Sequence, residues 1–369
     1  MQALYPLRFT EILRNYEFGG RWIAEAFDKE GLPADHSLAE TWEVCDRPGE
    51  SSVVRNGALS GTSLHELIAR YGEALLGRGI VAEHGNRFPL LVKILDATYP
   101  LGEQVHPDDR LAREMGRSDT GKTEAWYMLQ TRGGATVHCG TSAGTTSDVV
   151  RRALLGDTSR DVMEELPARP GDAFLLHAGT MHYSRGGLLF YEIMQNSDIT
   201  ISLRGSEHPA GTAGRKEWAE RTLRAVRVVP GHQCRTRAVT TASGVNRVSY
   251  IFACRHFALE RLDLAAPHTI SCAGDRFFVL TVVEGAADVS CAVGRESLGR
   301  GHSCLLPAGL GDLTIVPRGP CSILKGYVPD LLRDVVEPLR AAGIADDAIT
   351  ALGAEPDSNP LTELVARPR

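Results

Sequence analysis

No stretch of this chain reaches 18 consecutive apolar residues, which excludes a hydrophobic helix long enough to span a bilayer. No stripe of lysine and arginine stands out either. With 46 acidic against 40 basic residues the formal net charge is −6 at pH 7, so nucleic acid is not an expected partner. The opening "MQALYPLRFTEILRNYEFGG" carries charges throughout and lacks the apolar core of a secretory leader, so the cytoplasm is the expected compartment. Cys-x-x-Cys pairs are missing as well. The eight cysteines, several of them (Cys254, Cys272, Cys304) inside apolar strand-like runs, are expected as reduced core residues rather than a disulfide framework or a zinc site.

What is present is a long series of strand signals. With 369 residues, 43% of them apolar, the chain is long enough for two or three domains of roughly 150 residues. From about residue 85 onward, "FPLLVKILDA" (88–97), "AWYMLQT" (125–131), "DAFLLHAG" (172–179), "GLLFYEIMQ" (187–195) and "FFVLTVVEG" (277–285) read as strands punctuated by Gly, Pro, Asp and Asn. Many short strands with such turns predict an all-β-dominated sandwich or barrel. Helical periodicity interrupts them three times. Residues 62–77 place Leu64, Leu67, Ile68, Tyr71 and Leu75 on one face, capped by Thr62 or Ser63. Residues 146–166 read as two short helices. Residues 330–343 read as a further helix kinked or split by Pro338, and the tail after 345 as loosely ordered.

The chain also repeats itself. "GDAFLLHAGTMH" (171–182) and "GHSCLLPAGLGD" (301–312) share a strand framed by glycine turns. Such an echo predicts a duplicated β module. The first copy ends in His182, a metal-ligand type, and the second in Asp312, which predicts one active and one degenerate barrel.

Four side chains form a candidate metal site. In "PLGEQVHPDD" (100–109), Gln104 and His106 are two apart and share a strand face. Glu124 enters the next strong strand, and His182 closes the glycine-framed motif. Two imidazoles, one carboxylate and one amide oxygen make a mixed N/O set that suits zinc, manganese, iron, nickel or cobalt. Taken singly each has a bland reading: a satisfied histidine, an unremarkable glutamine, half of a surface ion pair with Lys122.

The strings "FPLLVKILDA", "QVHPDD", "GKTEAWYML", "PGDAFLLHAGTMH" and "EIMQNSD" together resemble type I phosphomannose isomerases, and "FGGRW", "AETWEVCDRP…SSVVRNG" and "LKGYVP" fit the short bacterial form of that family. The similarity extends to about residue 330. It implies a bicupin, two β-barrel (jelly-roll) domains with a few inserted helices. Residues 1–225 would be the catalytic cupin, 226–330 the degenerate one, and 331–369 a C-terminal helix and tail. It implies Zn2+, or Mn, Co, Fe or Ni, held by Gln104, His106, Glu124 and His182. It further implies a small sugar or sugar-phosphate substrate, mannose 6-phosphate and fructose 6-phosphate, interconverted through an enediol that moves a proton between C1 and C2. Lys122 would be a base or a substrate anchor. Glu192 is a second candidate base, or else a buried partner of Lys93 or Lys122. Oligomeric state is not legible.

Two positions depart from the family pattern. Ser202 stands where the family has an arginine that stabilises the enediolate, and Gly102 where it has a serine near the substrate phosphate. Loss of such a cation costs on the order of 3 kcal/mol, about a hundredfold in rate. Arg204 or Arg185 would compensate, or the sugar differs, including an unphosphorylated aldose. His177 and His138 are candidates to line an altered pocket or to be structural. The alternatives to an isomerase are an iron-dependent oxygenase, in which two histidines and Glu124 form a facial triad, and a sugar-binding cupin without catalysis.

Overall fold

The computed structural model describes residues 2–29, 31–32, 37–206, 208–229, 234–354 and 359–367. The strands predicted from apolar runs form, and they pair only antiparallel. In the first half a six-stranded sheet runs in the order Ala173–Leu176, Glu124–Thr131, Leu188–Gln195, Leu90–Ala97, Glu40–Val44, Ile12–Arg14. It packs against a five-stranded sheet ordered Glu164–Pro167, Thr136–Cys139, His182–Ser184, Leu101–Val105, Ile201–Ser202. Alternation sends Leu95, Trp126, Met128, Phe174 and Phe190 from the first sheet and Val137 and Cys139 from the second into one shared core.

The second half repeats this order, with four strands in its small sheet where the first has five. Ser303–Leu306, Phe278–Glu284, Cys321–Tyr327, Ala258–Leu264, Asn246–Ala253 and Val239–Ser243 form the large sheet. Gly294–Leu298, Ala287–Cys291, Asp312–Pro317 and His268–Ser271 form the small one. The echo in the sequence is therefore a duplicated double sheet, the bicupin architecture. Register gives the correspondence of residues. Leu176 pairs with Glu124 and Leu306 with Phe278, while His182 pairs with Gln104 and Asp312 with Ser271. The four candidate ligands thus map to Ser271, Ala273, Phe278 and Asp312, and the second barrel has no counterpart of the site. Register also aligns Lys93–Glu192 with Glu260–Lys325: a buried cross-strand ion pair occurs in both barrels with its charges exchanged.

The barrels stand back to back. The outer face of the first large sheet (Val92, Ile94, Tyr127, Tyr191, Ile193) shares one core with Leu259, Val279, Leu305 and Leu324 of the second. The approach is close at Gly326, where a Cβ would lie 2.9 Å from Ile193 Cδ1.

The helices differ in detail from the pattern read in sequence. The 62–77 segment is split at Gly72, which has φ +46, into Leu64–Tyr71 and Glu73–Leu76. A third helix, Arg78–His84, follows. Ser63 caps the first, with Glu66 closing a capping box. In 146–166 only Ser147–Gly156 is an α-helix. Asp157 ends it in the left-handed conformation, and the remainder is one 3-10 turn and the strand Glu164–Pro167, which pairs with Thr136–Cys139. Tertiary pairing there overrides local propensity. Pro338 sits in the first turn of Glu337–Ala341, where its missing N–H is harmless, and a π-helical turn (Leu332–Val336) precedes it. The tail is more ordered than its composition predicts. Ile349, Leu352 and Leu361 enter the core of the second barrel, although residues 355–358 lie outside the described ones. All eight cysteines are free thiols, and seven are buried.

Candidate metal centre

Three strands and the turn after one of them bring the site together. Gln104 and His182 are direct antiparallel partners, so their side chains leave the same face of the small sheet. His106 follows one residue beyond the strand Leu101–Val105, and Glu124 opens the strand Glu124–Thr131 of the facing sheet. His106 Nε2 lies 3.3 Å from Glu124 Oε2 and His182 Nε2 lies 3.0 Å from Glu124 Oε1. One ligand atom from each of these three residues falls within 4.8 Å of the others, and all three are buried.

The tautomers are set by backbone carbonyls. His106 Nδ1 donates to Ile199 O at 2.8 Å and His182 Nδ1 to Thr180 O at 2.9 Å, because a carbonyl can only accept. Each Nε2 therefore turns a lone pair toward a carboxylate oxygen. Both Nε2 atoms and Glu124 Oε1 are buried without a hydrogen-bond partner among the described residues, and Glu124 Oε2 meets Lys122 Nζ at 2.8 Å. Lone pairs facing lone pairs repel, and unsatisfied buried polar atoms are costly. A cation at their centre resolves both problems, so the donor set fits a divalent metal. The protonation states agree. Burial, helped by the charge of Lys122, pushes His106 down to about 4. Burial would raise Glu124, but Lys122 and the two imidazoles outweigh it and hold the carboxyl well below its usual range. A neutral His106 imidazole and an ionised Glu124 carboxylate are forms that bind metals.

The surroundings tie these ligands more firmly than the residue pattern alone conveys. The acids after His106 are braces: Asp108 caps the helix Asp109–Glu114 by accepting from Leu111 N at 2.7 Å, and Asp109 Oδ1 accepts from Gly121 N at 2.7 Å. Lys122 N donates to Pro107 O at 3.0 Å. The Gln-Asn-Ser-Asp string is a strap. Gln195 Oε1 accepts from Thr123 N at 2.9 Å, Asn196 Nδ2 donates to Asp46 O at 2.7 Å, and Ser197 Oγ donates to Thr120 O at 2.8 Å. Ile199 then reaches His106. The signal available was a run of amide and hydroxyl side chains directly after a buried strand, a composition suited to binding loop backbone. Trp126 was also missed; its ring meets His182 edge-on at 5.5 Å and walls the site.

The other candidates distribute as follows. Lys122 is buried, with Nζ 2.8 Å from Glu124 Oε2. Glu192 is buried behind Trp126: its Oε1 accepts from Trp126 Nε1 at 2.9 Å and its Oε2 lies 3.3 Å from Lys93 Nζ. Burial and the neighbouring Glu124 push Glu192 up against the pull of Lys93. Ser202 is the register partner of Gln104, and its Oγ accepts from Arg204 N at 3.1 Å. Arg204 is exposed at the end of that edge strand. Arg185 points to solvent and pairs with Glu165 at 3.4 Å. Gly102 is exposed, and a Cβ there would meet nothing within 4 Å. His138 stacks on Tyr183 at 4.3 Å, on the sheet face away from the ligands. His177 Nε2 contacts Gly353 O at 3.1 Å, toward the C-terminal helices.

Comparison with known proteins gives the context. A family model described as phosphomannose isomerase type I, catalytic domain, matches residues 7–129, and one described as mannose-6-phosphate isomerase, cupin domain, matches residues 247–327. The mannose-6-phosphate isomerase ManA of Bacillus subtilis is 27% identical over 318 residues, 86% of this chain and 98% of that protein. The putative mannose-6-phosphate isomerase YvyI of the same organism is 25% identical over 324 residues, 88% of this chain and 99% of that protein. A crystal structure of a Bacillus subtilis mannose 6-phosphate isomerase shares the fold, with TM-score 0.75 and 24% identity over 88% of this chain and 99% of that one.

Proposed function

The chain belongs to the type I phosphomannose isomerase family, and from that premise we propose that it interconverts mannose 6-phosphate and fructose 6-phosphate. The observation that carries the reading is the convergence of His106 Nε2, His182 Nε2 and the Glu124 carboxylate, all buried, around one point. We assign the metal to these three residues and to the Gln104 amide oxygen, with zinc as the first candidate for a mixed N/O set and manganese, cobalt, iron or nickel as alternatives. A divalent cation bound there supplies Lewis-acid polarisation of the sugar's carbonyl and hydroxyl oxygens.

The remaining residues have separable tasks. Lys122 Nζ, held against Glu124, is positioned to donate a hydrogen bond to a substrate oxygen as charge develops on it during enediol formation. Trp126 closes the inner side of the site and keeps water from the carbons that exchange the proton. Glu192 is assigned as the residue that fixes the Trp126 ring, with Lys93 compensating its charge. We divide the chain into a catalytic barrel over 1–225, a degenerate barrel over 226–330 and a C-terminal segment over 331–369.

The test is an isomerisation assay on metal-reconstituted protein with mannose 6-phosphate, other aldose phosphates and free aldoses, following the ketose formed. Metal-dependent appearance of fructose 6-phosphate is expected. Oxygen consumption with bound iron, or sugar binding without turnover under any metal, would overturn the proposal.

A further inference from the structure

One short turn carries much of the backbone that orients the metal ligands. It runs over residues 177–180, between the strand Ala173–Leu176 and His182. Thr180 O accepts from His182 Nδ1 at 2.9 Å, and Gly179 N donates to His106 O at 2.8 Å. Ala178 N donates at 3.2 Å to Oγ1 of Thr123, the residue before Glu124. Three ligands therefore share a single support, and a displacement of that turn bears on all three.

Register shows what this turn lacks. Leu176 and Leu306 occupy equivalent places, so His177 corresponds to Pro307 of the second barrel. The ring of Pro307 fixes its own φ, at −54. A histidine has no such internal restraint, and an external one stands in its place. His177 Nε2 donates to Gly353 O at 3.1 Å, since a carbonyl can only accept. Gly353 closes the turn Ala351–Gly353, which is itself pinned in three ways. Leu352 is fully buried in the core of the second barrel. Ala351 O accepts from Arg237 N at 3.4 Å. Asn359 packs so closely on Gly353 that a Cβ there would overlap its amide, and Asn359 Nδ2 donates to Thr350 O at 2.6 Å. The anchor thus belongs to the second barrel, and it lies beyond residue 327, where the match to the cupin-domain model ends.

We propose that the turn Ala351–Gly353 acts through His177 as a strap between the barrels, and that His177 is a positioning residue. It fixes the turn 177–180 and through it the orientation of His106, Glu124 and His182. The proposal rests on the metal centre of the isomerase reading. It gives the half of the molecule that has no site of its own a task in the chemistry of the other half.

Two measurements on the full chain test it. The first is hydrogen–deuterium exchange of the metal-free protein, read by mass spectrometry. His177→Ala should speed exchange of the amides at 178–180 by at least about 10-fold, with the strand Ala258–Leu264 unchanged. Unchanged exchange at 178–180 overturns the proposal. The second is chelator competition for Zn2+. His177→Ala should weaken zinc affinity about 10- to 100-fold, as for other groups that orient ligands. His177→Gln, whose side-chain amide keeps an N–H donor near the place of Nε2, should stay within about threefold of wild type. Equal losses in the Ala and Gln variants overturn the proposal. So does a lower melting temperature in His177→Ala with exchange and affinity unchanged, the mark of a merely structural contact. If the wild type binds zinc but turns over no sugar, the isomerase reading fails while the affinities still decide the strap. If it binds no divalent metal, the metal centre fails and the exchange measurement alone decides. His177→Asn, too short to reach Gly353 O, serves if His177→Ala does not fold.

Discussion

Gly121 lies directly against the backbone of Asp108. A Cβ at position 121 would fall 2.5 Å from the Asp108 carbonyl carbon and 2.5 Å from Asp109 N, distances no side chain tolerates. This contact joins the His106 turn to the residue pair that leads into Glu124. Gly121→Ala must therefore push the two ligand-bearing segments apart. We expect metal affinity about 10- to 100-fold weaker, as for loss of other groups that orient ligands. A competitive chelator titration checks this, and unchanged affinity would count against the coupling.

Glu124→Gln removes the single anionic ligand and leaves Lys122 buried beside a neutral amide. Metal content measured by atomic emission should fall to background. Isomerisation should drop by at least about 100-fold. Melting temperature should fall as well, because a buried cation has lost its counter-charge.

Gly102→Ser restores a hydroxyl at an open position. Because nothing lies within 4 Å of the added Cβ, and glycine is a poor strand residue, stability should change by less than about 1 kcal/mol. Its hydroxyl shares a strand face with Gln104, so KM for mannose 6-phosphate should fall while that for free mannose stays constant. Parallel melts and kinetics on the two sugars test both statements.

Acid should destabilise the fold over a defined window. Burial and Lys122 push His106 down to about 4, and burial and Arg255 push His256 down to about 4; Arg255 Nε donates to His256 Nε2 at 3.1 Å, which requires a neutral ring. Unfolded, both titrate near 6.5. Between about pH 6.5 and about 4 the unfolded chain binds more protons than the folded one. These groups therefore leave stability intact above about 6.5 and erode it as pH falls toward about 4. Thermal melts across this range should show the decline, with a shallower slope in His256→Gln.

Much of this was legible in the sequence, for reasons that differ by element. Continuous apolar runs such as 90–97 and 188–195 announce strands buried on both faces, and the glycine-framed echo announces the duplication. Short strands such as Ile12–Arg14 and Glu40–Val44 carry Arg, Glu and Thr and gave no apolar signal; only their neighbours in the sheet make them strands. The helix Ala213–Leu223 went unread because its buried residues include Arg215 and Thr222 beside Trp218 and Ala219, which is not an apolar stripe. In the site, the spacing of Gln104 and His106 was readable from strand alternation. The role of Glu192 was not, since whether a carboxylate faces a cavity or an indole N–H depends on the sheet it joins.

The exchanged ion pair has a consequence for attempts to copy the chemistry into the other half of the molecule. Where the first barrel holds Glu192 on its central strand, the second holds Lys325, and Arg276 takes the place of Lys122. Transplanting Gln, His, Glu and His onto positions 271, 273, 278 and 312 would thus set the new ligands beside Lys325 where the first barrel has the carboxylate of Glu192. Reviving that barrel would require reversing its interior polarity first, at 260 and 325 together.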